Sequence, residues 1–69
     1  MNIKLAEIVN KERKELSNEI DRLQMIIDTN PEYIADIIVA QRKVKEARMW
    51  LGVVEAQCKG LDPWKNEVK

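Results

Sequence analysis

The stretch "DTNPEY", residues 28–33, falls between two long runs of good helix formers and is the only place where both runs break together. Asn30 is a preferred residue at a helix N-cap, and Pro31 fits the first helical position, where its missing N–H is no loss. The stretch therefore reads as the end of one helix and the start of the next. Working outward, helix 1 is expected over about 3–28, a turn at 29–30, and helix 2 over about 31–59. Helix 2 should stop at "CKGLDP": Gly60 suits the left-handed position after a helix, Leu61 the apolar contact that follows, and Pro63 prevents resumption. Residues 61–69 read as a C-terminal tail containing Trp64.

Both helices carry apolar residues at alternating spacings of three and four. Helix 1 gives Ala6, Val9, Arg13, Leu16, Ile20, Leu23 and Ile27. Helix 2 gives Tyr33, Ile37, Ala40, Val44, Ala47, Leu51, Val54 and Cys58. Such stripes pack helices side by side at a small crossing angle, and a short turn makes them antiparallel neighbours. The expected fold is all-α, an antiparallel two-helix hairpin over 1–60. A core of this size rarely supplies more than about 3–5 kcal/mol alone. Leu5, Ile8 and Ile26 on helix 1, and Ile34, Ile38, Met49, Trp50 and Val53 on helix 2, widen the apolar surface beyond what one partner covers. The hairpin is therefore expected to assemble into a homo-oligomeric helical bundle.

The composition restricts function. In this 69-residue chain 12 Lys+Arg balance 12 Asp+Glu, whereas sequence-blind binding to DNA, RNA or anionic membranes needs uncompensated cations. No apolar run approaches the roughly 20 residues of a membrane span. The start, "MNIKLAEIVN", is amphipathic, so no signal peptide is expected. The lone cysteine, Cys58, suits a reducing cytoplasm and a small buried apolar role. There is no histidine, no phosphate-cradling glycine loop and no CxxC, so neither an enzyme nor a metal or other cofactor is expected. Helical-dimer enzymes that work with Arg, Lys, Glu and Gln, in the style of chorismate mutases, normally need a third helix.

With a two-residue turn, Val9 should lie level with Trp50, Arg13 with Glu46, and Lys11 and Lys14 with Arg48 and Lys45. Helix 1 then presents the polar waist "NKERKE" to Val44, Ala47 and Leu51. Glycine inside a helix costs about 1 kcal/mol relative to alanine, so Gly52 asks for a reason. Gly52 and Ala47 as a gap, with Trp50 as a bulky anchor, read as complementary parts of a subunit contact involving Val44 and Leu51. The other reading is that Trp50 caps its own hairpin.

Arg13 occupies an otherwise apolar stripe. It is either a phosphate clamp at a subunit cleft or an ion-pair partner of Glu46 that sets register. Lys11, Lys14, Lys45 and Arg48 are further candidate ligand contacts, or ordinary solvated surface neutralised by neighbouring glutamates. Tyr33, near a positive helix end, can stack a base or close the stripe at the turn. Trp64 can cover a ligand or dock on a neighbouring subunit.

The run "EARMWLG", residues 46–52, preceded by "NPEYIADIIVAQRKVK", resembles the last helix of the phage anti-CBASS sponge family through Glu46, Ala47, Met49 and Trp50. The resemblance spans about residues 16–60, in a chain shorter than the family's members. It implies a compact homo-oligomer, in that family a hexamer of helical hairpins. It also implies binding of cyclic di- or trinucleotides between protomers without hydrolysis, in the host cytoplasm, which starves a bacterial immune effector of its signal. The family's ligand contacts are not carried over to any position here. A helical-bundle adaptor or inhibitor with no small ligand explains the stripes without this resemblance.

Overall fold

The computed structural model describes residues 1–62. Helix α1 spans Ile3–Thr29 and helix α2 spans Ile34–Cys58, with a 3₁₀ turn at Pro31–Tyr33 between them. The two helices pack against each other as a hairpin, as the stripes predict. Asn2 opens α1, its side-chain oxygen accepting from the Leu5 N–H at 3.0 Å, the bond expected of an asparagine N-cap.

The turn departs from expectation in one respect that moves everything else. Asn30 does not cap α2 with its side chain. Its amide instead donates to the Ile26 carbonyl (3.2 Å) and to Thr29 Oγ1 (2.9 Å), closing the end of α1. Pro31 does sit at the first position after it, but of a 3₁₀ turn. The added turn shifts the pairing of the two helices. Arg48 reaches Ser17 and not the level of Lys11, and Arg13 meets Glu55 and not Glu46. Glu46 is exposed and forms no ion pair among the described residues. Trp50, half-exposed, is carried along α1 away from Val9.

The far end of α2 behaves as read. Gly60 has φ +80°, the Leu61 N–H bonds to the Ala56 carbonyl at 2.9 Å, and the Gly60 N–H bonds to the Gln57 carbonyl at 3.0 Å. This is the paired closure that a left-handed glycine permits. Leu61 itself stays exposed. The Asn2 N–H bonds to the Cys58 carbonyl at 2.6 Å, so the start of α1 also satisfies an orphan carbonyl of α2. Pro63 and Trp64 lie outside the described residues.

All seven residues of the helix 1 stripe are buried or half-buried. On α2 the expected stripe is only partly covered. Ile37, Val44, Leu51, Val54 and Cys58 are half-buried, while Tyr33, Ala40 and Ala47 are exposed. The positions next in sequence to Ala40, Ala47 and Val54 turn inward instead: Gln41 and Glu55 are buried, and Arg48 hydrogen-bonds across the helices. One residue is about 100° of helix rotation, so this exchange rolls Ala40 and Ala47 out of the contact. The buried apolar set is correspondingly small, namely Ala6, Val9 and Ile27 among the described residues.

Candidate functional site

The polar residues between the helices form a ladder with heptad spacing on both strands of the hairpin. Asn10, Ser17 and Gln24 recur every seven residues on α1, and Gln41, Arg48 and Glu55 do so on α2. Seven residues is nearly two helical turns, so each set lines one flank of its helix. Because the helices run antiparallel, the sets meet in reverse order. Gln41 Nε2 donates to Gln24 Oε1 at 3.1 Å, Arg48 Nη1 to Ser17 Oγ at 2.9 Å, and Asn10 Nδ2 to Glu55 Oε2 at 3.2 Å.

Glu55 is the densest node. Although 6% exposed, it accepts from Arg13 Nη1 at 2.9 Å, Lys59 Nζ at 3.1 Å and Asn10. The Arg13 hydrogen bond, then that of Lys59, holds its carboxyl below the usual carboxylate range, outweighing the opposing effect of burial. Glu55 is therefore ionised at neutral pH, and its charge is shared between two cations.

Beside this node Asn10, Arg13, Lys14, Ser17 and Arg48 line one cleft. On α1 these positions are spaced i, i+3, i+4 and i+7, which puts all four on one flank. The Ser17 hydroxyl donates to the Arg13 carbonyl at 3.1 Å and accepts from Arg48, so it orients that guanidinium toward α1. Lys14 and Arg48 have no carboxylate partner among the described residues. Arg13 Nε is closed off from solvent and finds no acceptor. Three cations thus line one cleft; Glu55 pairs with Arg13 alone among them and also bonds Lys59. The arrangement suits an oxyanion that accepts several hydrogen bonds at once.

Of the six candidate ligand contacts, the fold brings together Arg13, Lys14 and Arg48. Lys11 and Lys45 are exposed and line no part of this cleft. Tyr33 is exposed beside Asn30 and Glu32 at the turn, the opposite end of the hairpin from Glu55. Among the candidate subunit contacts, Val44, Leu51 and Gly52 are half-buried within the hairpin, and Ala47 and Trp50 are exposed. The gap at Gly52 is filled from inside: a Cβ there would lie 3.1 Å from Arg13 Cζ.

Sequence reasoning passed over Asn10, Ser17, Gln41 and Glu55. The heptad recurrence of polar residues was the available signal. It is masked because Gln41 and Glu55 sit directly beside Ala40 and Val54, which satisfy the apolar spacing equally well. Comparison with known protein families, with curated proteins and with solved structures finds no match.

Proposed function

We propose that this chain is a self-assembling helical hairpin that binds a cyclic di- or trinucleotide and sequesters it without hydrolysis. Acting in the cytoplasm of an infected bacterium, it would withhold the signal from a CBASS-like immune effector. The observation that carries the reading is the cleft lined by Arg13, Lys14 and Arg48 together with Asn10 and Ser17. A cyclic nucleotide presents phosphates on a compact ring, and clustered guanidinium and ammonium groups recognise that chemistry. The resemblance of residues 46–52 to the sponge family points to the same ligand class.

Assembly is supported by what one hairpin leaves uncovered. Ala40, Ala47 and half-exposed Trp50 lie on α2 away from the polar ladder, and Leu5, Ile8 and Ile26 remain exposed on α1. Apolar residues spread round most of a helix imply burial against more than one neighbour. A second copy of the chain supplies that cover, with the hexamer of the sponge family as the expected closed form. The same exposed residues also favour a second reading, a protein–protein module with no small ligand.

A thermal-shift panel of cyclic di- and trinucleotides separates the two readings, with particle mass followed by light scattering. A ligand at 100 times its dissociation constant adds about 2.7 kcal/mol of stability. At least one member should raise the melting temperature of an oligomer larger than 8.1 kDa. No response across the panel from a well-folded oligomer contradicts the sponge and leaves the protein–protein module.

A further inference from the structure

A second cleft adjoins the cation cleft. It has a volume of about 390 Å³ and is lined by Ile3, Ala6, Glu7 and Asn10 of α1 and by Glu55 and Lys59 of α2, a size within the range of small-ligand sites. Asn10 belongs to both clefts. Ile3, Glu7, Asn10, Lys14 and Ser17 follow one another at spacings of three and four, so the two clefts lie along one flank of α1. The second takes positions 3–10 and the cation cleft positions 10–17, which puts their midpoints about 10 Å apart at the helical rise. One nucleotide covers that distance from its phosphate to the outer edge of its base.

The chemistry of the second cleft is different. Ala6 and half-exposed Ile3 supply an apolar wall. Glu55 is already engaged by Arg13, Lys59 and Asn10. Glu7 is exposed, and its carboxylate has no hydrogen-bond or ion-pair partner among the described residues. Lys59 gives Glu55 one hydrogen bond, and an ammonium group has three to give. Guanine fits this set. Its N1–H and N2–H are adjacent donors that one carboxylate accepts in parallel, and its O6 beside them accepts from a lysine. Adenine sets its single N6–H donor next to the N1 lone pair, which a carboxylate repels. Cytosine and uracil also place a donor next to an acceptor.

We infer that the cleft between Glu7 and Lys59 is a base subsite selective for guanine, with Glu7 as its specificity-determining residue and the phosphate of the same nucleotide in the cation cleft. The inference rests on the nucleotide-binding reading of the cation cleft and adds which base is taken.

Calorimetry with cyclic di-GMP and cyclic di-AMP, which share one sugar–phosphate ring and differ in their bases, tests this on the wild type and Glu7→Gln. The wild type should bind cyclic di-GMP about tenfold more tightly, the scale of a hydrogen bond to a charged group. Glutamine keeps one acceptor and turns the other into a donor, the pattern that pairs with adenine. Glu7→Gln should therefore bring the ratio to unity or reverse it. The melting temperature of the unliganded chain should not change, because Glu7 has no partner to lose. Equal binding of the two ligands by the wild type, a preference for cyclic di-AMP, or a ratio that Glu7→Gln leaves in place overturns the guanine subsite alone. A wild-type chain that binds neither ligand overturns the nucleotide-binding reading and the inference together.

Discussion

At the turn end of the polar ladder two neutral amides meet, Gln24 and Gln41, whereas toward the chain ends the rungs carry charge, Ser17 with Arg48 and Asn10 with Glu55. The neutral rung is self-contained. Gln41 Nε2 donates to the Ile20 carbonyl and to Gln24, and Gln24 Nε2 donates onward to Asp28 at 2.9 Å. The charged rungs are not closed in this way. They set Arg13 and Lys59 on a single carboxylate, with Lys14 and Arg48 lining the cleft beside Arg13, and they leave Arg13 Nε without an acceptor. The same spacing and the same helix flanks thus yield two outcomes. A satisfied rung specifies which residues pair, a role that buried polar groups in helix seams are known to serve. A rung with surplus donors does that and also keeps hydrogen-bonding capacity unused, which is what the proposed function calls on.

Removing the centre of each end should break this contrast most sharply. Glu55→Ala strands Arg13, Lys59 and Asn10 at once and should cause the largest drop in melting temperature of any single ladder variant. Arg13→Leu should also lower stability, but by less, because Lys59 and Asn10 still hold the carboxylate. A rise in melting temperature for Arg13→Leu would mean that the Arg13–Glu55 bond contributes nothing net.

Acid titration sharpens the comparison next. Because the folded pKa of Glu55 is depressed, its contribution is complete above the unfolded glutamate value of about 4.3. It is lost as pH falls through the lower, folded value. Stability should therefore decline with acid in that range, and the decline should be shallower in Glu55→Gln. Urea unfolding at a series of pH values checks this, and identical profiles for the two proteins would contradict it.

The smallest effect belongs to the neutral rung. Gln41→Leu removes two neutral hydrogen bonds, but the Ile20 carbonyl lies inside α1 and Gln24 is exposed to water. No buried group is left stranded, so the change should stay within about 1 kcal/mol. A cost as large as that of Glu55→Ala, read from urea midpoints, would show that the two ends do not differ as described.

The two helices, the stop at Gly60 and the α1 stripe were all legible because each rests on local chemistry: cap and breaker residues, and a period of three and four. The roll of α2 was not. Ala40 and Ala47 satisfy the apolar period that Gln41 and Arg48 fail, yet they are exposed, so hydropathy alone misplaces the inward face there. Only pairing between Asn10, Ser17 and Gln24 and their partners decides the matter, and such pairing is a property of two helices together. The register slipped for a related reason. Asn30 and Pro31 read as the entry to α2, yet Asn30 closes α1, and the 3₁₀ turn lengthens the connection. Arg13, Lys14 and Arg48 were picked out as cations, but their convergence depends on that longer turn.

Arginine Nε–H resonances test the cation cleft most directly. Arg13 and Arg48 line it, while Arg22 pairs on the surface with Glu19 at 3.3 Å and serves as an internal reference. In a titration with the cyclic oligonucleotide that most raises the melting temperature, or with pyrophosphate if none does, the Arg13 and Arg48 signals should move and saturate together while that of Arg22 stays in place. Equal movement of all three, or a shift confined to Arg22, would contradict the assignment of the cleft as the anion site.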